Sequence, residues 1–238
     1  MRMIHEAPRE TPVALETDVL VCGGGPAGVA AALAAARNGA RTVLVENQLC
    51  LGGMATSGMV NRLGPYHDQK DIMLRGIPWE ILRRLIDRGL AQEPVICHPK
   101  NWSDYWLVFD PEGMKVLLDE LVQEAGVTVY FDSRIVDALL EDGHMRGAII
   151  ENKSGRQAIL ARTVIDATGD GDVAARAGAP FQTGRAGDAL LQPMTIFFKC
   201  LNMDWPRAFE YVGSHYKELV DRARAEVGND FVLAGTDS

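Results

Sequence analysis

Four cysteines in 238 residues, none near another, leave this chain without a cysteine pair that could act together. Cys22, Cys50, Cys97 and Cys200 form no CxxC spacing, which argues against a zinc site, a disulfide framework or a thiol redox centre. Positive charge is also short. Lys and Arg total 24 against 32 Asp and Glu, a net charge of −8 that disfavours nucleic acid and anionic membrane surfaces as partners. Long apolar runs are missing too. The opening sixteen residues, MRMIHEAPRETPVALE, mix acids, bases and prolines, so neither a secretory signal nor a membrane anchor is expected and the cytoplasm is the expected location. Neither an internal repeat nor a low-complexity stretch interrupts the chain. With 47% hydrophobic residues, it has enough apolar material for the cores of one or two domains.

The periodicities read as alternating α and β. A short apolar run, Asp18 to Cys22, ends at glycine, and Pro26 to Asn38 is alanine-rich, helical in pattern and closed by Gly39. A second strand-length run at Arg41 to Glu46 completes a βαβ unit and predicts a parallel sheet. Helices are further predicted over 76–89, where Ile77, Ile81, Leu82, Leu85 and Ile86 recur at helical spacing, and over 110–125, with Asp110 as cap and Pro111 in its first turn. Residues 127–131, 135–140, 146–152 and 157–165 read as strands, with turns at Asp142-Gly143 and Ser154-Gly155, so three of them should form an antiparallel meander. A strand is expected at 194–201 and a helix from Trp205 to about Val227.

Glycine is dense where the first strand should become the first helix: Val21-Cys22-Gly23-Gly24-Gly25-Pro26-Ala27-Gly28. Gly23-x-Gly25-x-x-Gly28 in that setting is the dinucleotide fingerprint, giving a tight turn, close approach of backbone to a pyrophosphate, and close helix–strand packing. No Ser, Thr, Asp or Asn precedes the helix as a cap, so its first amides and the positive end of its dipole remain for an anion. Glu46 ends the second strand, where a carboxylate accepts hydrogen bonds from ribose hydroxyls and repels a 2′-phosphate.

"DVLVCGGGPAGVAAALAAARNGARTVLVE", followed by "LGGMATSG" and later by "TVIDATGDGD", resembles the FAD-dependent oxidoreductases of the two-dinucleotide-binding-domain flavoprotein type. The resemblance implies an α/β fold. A Rossmann-like FAD-binding domain with a parallel central sheet and an antiparallel meander would be joined to part of a substrate or cap domain. It also implies FAD as cofactor, with Gly23, Gly24, Gly25, Pro26, Ala27 and Gly28 around the pyrophosphate and Glu46 with Asn47 at the ribose. Gly52, Gly53, Met54, Ala55 and Thr56 would run beside the ribityl and flavin, Val136 would meet adenine through its backbone, and Ala167, Thr168 and Gly169 would close the site. On this reading residues 1–16 are a tail, 17–60 and 108–185 the FAD-binding domain, 61–107 a cap or insertion, and 186–238 the start of an incomplete substrate domain. The absence of a CxxxxC after Gly53 removes the dithiol that a disulfide reductase needs.

The chemistry expected is hydride transfer between a small organic molecule and the flavin, with a second chain as a candidate partner that completes the substrate domain. The same fold also suits a nucleotide-binding protein without flavin chemistry, such as the thiazole-forming enzymes, or a non-catalytic subunit. No base is evident in the pattern; His67 and His98, in the least regular part of the chain, are the weak candidates. Trp102, Tyr105 and Trp106 read as core packing of a long excursion, with a pocket wall or a subunit contact as the alternatives. Arg75, Arg83, Arg84, Arg88 and Arg185 could face a carboxylate, although arginines on an amphipathic helix usually face water. Asp166, Asp170 and Asp172 read as part of a cofactor turn, and no metal is expected.

Overall fold

In the computed structural model the described residues are Met3, 7–64, 66–68, 70–94, 107–192 and 194–227. They fall into two units, Met1–Thr195 and Ile196–Ser238.

The first unit is built on a six-stranded sheet in the order β5-β2-β1-β8-β7-β6. β1 (Val13–Cys22), β2 (Thr42–Val45), β5 (Thr128–Tyr130) and β8 (Gly155–Asp166) run parallel. β7 (His144–Asn152) pairs antiparallel with β8 and β6 (Arg134–Glu141) antiparallel with β7, which continues the sheet as the expected meander. The mixed α/β class and the parallel core are as the sequence predicted. β1 is longer than its apolar run because β8 is 12 residues long and offers backbone partners as far back as Val13, opposite Ala158. Backbone pairing rather than burial holds this extension, since the Val13 and Ala14 side chains stay exposed.

Successive strand residues point to opposite faces, and the two faces have different cores. Val21 and Leu44 pack with Val29, Ala32 and Leu33 of α1 (Pro26–Arg37) and with Leu117, Leu118 and Leu121 of α3 (Pro111–Glu124). Leu20, Cys22, Val43 and Val45 pack instead with Ala148, Ile150 and Ile159 of the meander and with Val173 of α4 (Asp172–Arg176). Burial pushes the Cys22 thiol up to about 12, with the nearby Asp166 charge adding to the effect, so it is a packing residue and not a nucleophile.

Two strands have no sequence period to reveal them: β3 (Arg62–Leu63) and β4 (Leu107–Val108) pair antiparallel as a separate small sheet. They and α2 (Ile77–Asp87) enclose a satellite core of Tyr66, Leu82, Ile86 and Leu107. The second unit carries α5 (Trp205–Val227), at the position expected. The strand expected over 194–201 does not form: among the described residues this stretch has no ladder partner, and Met194, Ile196 and Phe198 are exposed. An apolar run becomes a strand only when another strand accepts its backbone.

Candidate functional site

The carboxyl ends of β2, β1 and β8 meet at the glycine turn. Gly23 N–H donates to Val45 O (2.8 Å) and Ala167 N–H donates to Cys22 O (2.8 Å), so the turn is bracketed by both neighbouring strands. The glycines divide the labour there. Gly23 has a φ of +103°, and a Cβ on it would lie 2.3 Å from Ala167 O; on Gly28 it would lie 1.8 Å from Gly23 O. Both positions therefore serve the fold. Gly25 is different, because a Cβ there would meet nothing within 4 Å. Gly25 is also the N-cap of α1, no side chain caps that helix end, and Pro26 at its start has no N–H. The helix presents open space and unused donors in one place, as an anion site requires.

Glu46 is buried (5% exposed) and held by two amides: Gly24 N–H donates to its Oε2 (2.6 Å) and Gln48 N–H to its Oε1 (2.7 Å). Its carboxylate is therefore fixed in position before any ligand arrives. The glycine pair that follows, Gly52-Gly53, packs against the first turn. Gly52 N–H donates to Gly24 O (2.8 Å), and a Cβ on Gly53 would lie 3.0 Å from Gly25 Cα. The buried Thr56 hydroxyl donates to Leu51 O (2.6 Å), bracing this loop from within.

On the other side of the turn, the Asp166 carboxylate accepts from Thr168 N–H (3.1 Å), the Thr168 hydroxyl (2.7 Å) and Ala174 N–H (2.8 Å). Desolvation is the largest single influence on this carboxyl and raises its pKa, yet the bonds from Ala174, Thr168 and Val173 together outweigh it and hold the value below the ordinary range. Asp172 N–H in turn donates to Thr168 Oγ1 (2.9 Å). Asp166 thus knots residues 167–172 to α4; it is a structural anion, engaged by two backbone amides and the Thr168 hydroxyl.

These three segments and the start of β6 enclose a cavity of about 840 Å³, the size of a cofactor site. Of the residues that the sequence nominates for the cofactor, Gly23, Gly25, Pro26, Ala27, Glu46, Asn47, Gly53, Met54, Ala167, Thr168 and Gly169 line it. Gly24, Gly28, Gly52, Ala55 and Thr56 are buried and do not line it, and Val136 stands one residue beyond the lining Ile135. The sequence reading missed Arg134, Ile135, Ser57, Gly58 and Arg176, all of which border the cavity. Ser57 and Gly58 lie in the glycine-rich stretch already singled out, whereas Arg134 and Arg176 are brought there only by the strand order.

His67 is not among the lining residues. It is buried, edge-on to Tyr66 with ring centroids 4.8 Å apart. His98, Trp102, Tyr105 and Trp106 lie outside the described residues. Arg83 and Arg84 on α2 and Arg88 at its C-cap are paired with Asp87, Glu80, Glu93, Glu124 and Glu120, and Arg185 with Asp188. Cys50 is half-buried, with Sγ 3.2 Å from the Ser57 hydroxyl.

A parallel sheet with a glycine turn at its carboxyl end, an open helix end and a buried acid at the next strand defines a dinucleotide-binding domain of Rossmann type. The model of the FAD dependent oxidoreductase family matches residues 18–232, so the chain belongs to that family, whose cofactor is FAD. The residues present suit FAD, since Gly25, where a missing side chain leaves empty space, stands at the uncapped helix end where a diphosphate would sit. A digeranylgeranylglycerophospholipid reductase of Thermoplasma volcanium is 28% identical over 159 residues, 64% of this chain and 39% of that one. A thiamine thiazole synthase of Methanococcus maripaludis is 24% identical over 163 residues, 65% of this chain and 56% of that one. The chain thus spans between about two-fifths and three-fifths of the length of these curated relatives. Among solved structures, a geranylgeranyl bacteriochlorophyll reductase-like protein of Thermoplasma acidophilum has the same fold. It superposes with a TM-score of 0.51 at 24% identity over 75% of this chain and 44% of that chain.

Proposed function

We propose that this chain is an FAD-dependent oxidoreductase, or the FAD-binding portion of one, and that it serves hydride transfer between a small organic substrate and the flavin. The observation that carries this reading is the open space at Gly25, framed by the uncapped end of α1, the amide-locked Glu46 and the turn at Ala167 to Gly169. When bound, FAD supplies the hydride chemistry itself. The chain's own residues have the tasks of holding and orienting. The amino end of α1 receives the diphosphate, and Glu46, already aligned by Gly24 and Gln48, accepts the ribose hydroxyls. Gly53, Met54, Ser57 and Gly58 form the wall along which the remainder of the cofactor would extend. In this proposal the substrate pocket is completed by a further chain, and the protein works in the cytoplasm. Among the described residues no helix is long and apolar enough to cross a membrane.

The test is direct. Protein purified without added cofactor should be yellow and should release one FAD per chain on denaturation; colourless protein that takes up no FAD on reconstitution would refute the reading. A second reading has support from the thiamine thiazole synthases among the relatives: a nucleotide-binding protein of this fold without flavin redox chemistry. Colourless protein that releases an adenine nucleotide would establish it instead.

A further inference from the structure

Arg176 stands at the cavity wall with bonds to two segments that are far apart in sequence. Its Nε donates to Val136 O on β6 (3.1 Å), and its Nη1 donates to the Asp172 carbonyl (3.0 Å) and to Asp172 Oδ1 (3.2 Å). The acceptor on β6 is freed by the strand itself. Ile135 pairs with Ile150 and Asp137 with Ile149, so the register shifts across Val136 and takes that residue out of the ladder. A bulge of this kind re-aims the local backbone and leaves its polar groups to find other partners. The carbonyl finds the guanidinium, next to Arg134 and Ile135, which line the cavity.

The charges around the cavity give Arg176 a second role. Asp170 and Asp172 line the same cavity in which the open end of α1 awaits an anion. An uncompensated carboxylate at Asp172 would oppose a diphosphate in the same cavity, and Arg176 Nη1 at 3.2 Å offsets it, although both side chains are exposed and water screens the pair. The guanidinium meets the carboxylate and the β6 carbonyl from two different nitrogens of one rigid plane, Nη1 and Nε, a fork that an ammonium's single nitrogen does not reproduce.

We infer that Arg176 is a positioning residue for the adenosine diphosphate half of the cofactor: it clasps β6 to the turn that ends in Asp172 and neutralises Asp172 beside the diphosphate. The clasp selects ligands that carry adenosine and two phosphates over flavin mononucleotide. This inference rests on the FAD reading. It is tested by titrating the apoprotein calorimetrically with ADP, FAD and FMN, comparing the parent chain with Arg176→Gln and Arg176→Lys.

The expected result is a loss of about tenfold in ADP and FAD affinity in both variants, the scale of a lost charge-assisted bond. FMN affinity and the thermal midpoint should stay at parental values. Lysine should not rescue fully, because its single nitrogen lacks the fixed Nε and Nη1 fork that meets Val136 O and Asp172. Equal loss for all three ligands would mean general damage to the fold and would overturn the inference, as would parental ADP affinity in Arg176→Gln or full rescue by lysine. Should Arg176→Gln not fold, the lysine variant decides alone on the ratio of ADP to FMN affinity. If the parent chain itself binds neither ADP nor FAD, the FAD reading falls together with the clasp; parental binding that survives Arg176→Gln removes the clasp only.

Discussion

Gly25 and Gly28 are three positions apart and chemically identical, yet substitutions at them should have opposite consequences. A side chain at Gly25 projects into open space, so Gly25→Val should leave the fold intact and remove dinucleotide binding by filling the diphosphate's place. At Gly28 the same change drives a Cβ to 1.8 Å from Gly23 O, which no side-chain rearrangement relieves, and the βαβ unit should fail to form. Far-ultraviolet circular dichroism and an FAD titration on the two variants check both halves. A folded Gly25→Val chain that keeps full FAD occupancy would contradict the site. At this scale the sequence was eloquent, because glycines, a missing cap and an acid are each visible as letters. The guanidiniums were not. Arg134 and Arg176 look like any other arginine in the sequence, and only their placement distinguishes them from Arg83, Arg84 and Arg88, whose partners are acids on α2, α3 and the segment that follows α2.

Elements are joined by contacts that periodicity cannot show. The middle of β1 is tied to the foot of β2 by Asp18, which accepts from the Arg41 backbone N–H (3.0 Å), Nε (3.1 Å) and Nη2 (3.1 Å). The Arg41 side-chain bond is the main cause, and the backbone bond the next, of a carboxyl held down at about 2 against an ordinary 3.8. A folded-state value below the unfolded one means that the tie stabilises the protein at and above pH 3.8 and is lost as the pH falls through 2, because the unfolded chain binds the proton first. Replacing Asp18 with Asn should therefore flatten the acid limb of the stability curve between pH 4 and 2 and leave its shape above pH 5 unchanged, as measured by urea midpoints across that range. An unaltered acid limb would show that the pair contributes nothing, the usual fate of exposed ion pairs. Helix and strand positions were largely legible for the same reason that this tie was not: α1, α2, α3 and the meander announce themselves by spacing and turn residues, whereas β3, β4 and the first residues of β1 exist only through partners remote in sequence.

For the whole molecule the telling feature is apolar surface. Among the described residues, Phe181, Leu190, Leu191 and Met194 of the first unit and Ile196, Phe198, Leu201 and Phe209 of the second are all more than half exposed. Soluble chains seldom leave so many large side chains in water unless another surface covers them. The chain should therefore bind a hydrophobic dye and elute in gel filtration above its 25.9 kDa monomer mass, and Ile196→Ser with Phe198→Ser should reduce both effects. A monomer with no dye response would remove the case for a covering partner. The division between sequence and structure follows from the range of the forces involved. Turn glycines, helix caps and alternating hydrophobicity act within a few residues, so the sequence alone determined the βαβ unit, the meander and the uncapped, glycine-lined end of α1. The strand order, the clasp from Arg176 to Val136, the burial of His67 away from the cavity and the fate of residues 194–201 depend on which segments come to lie side by side. No local pattern encodes that, because each is settled by partners that the chain supplies, or withholds, tens of residues away.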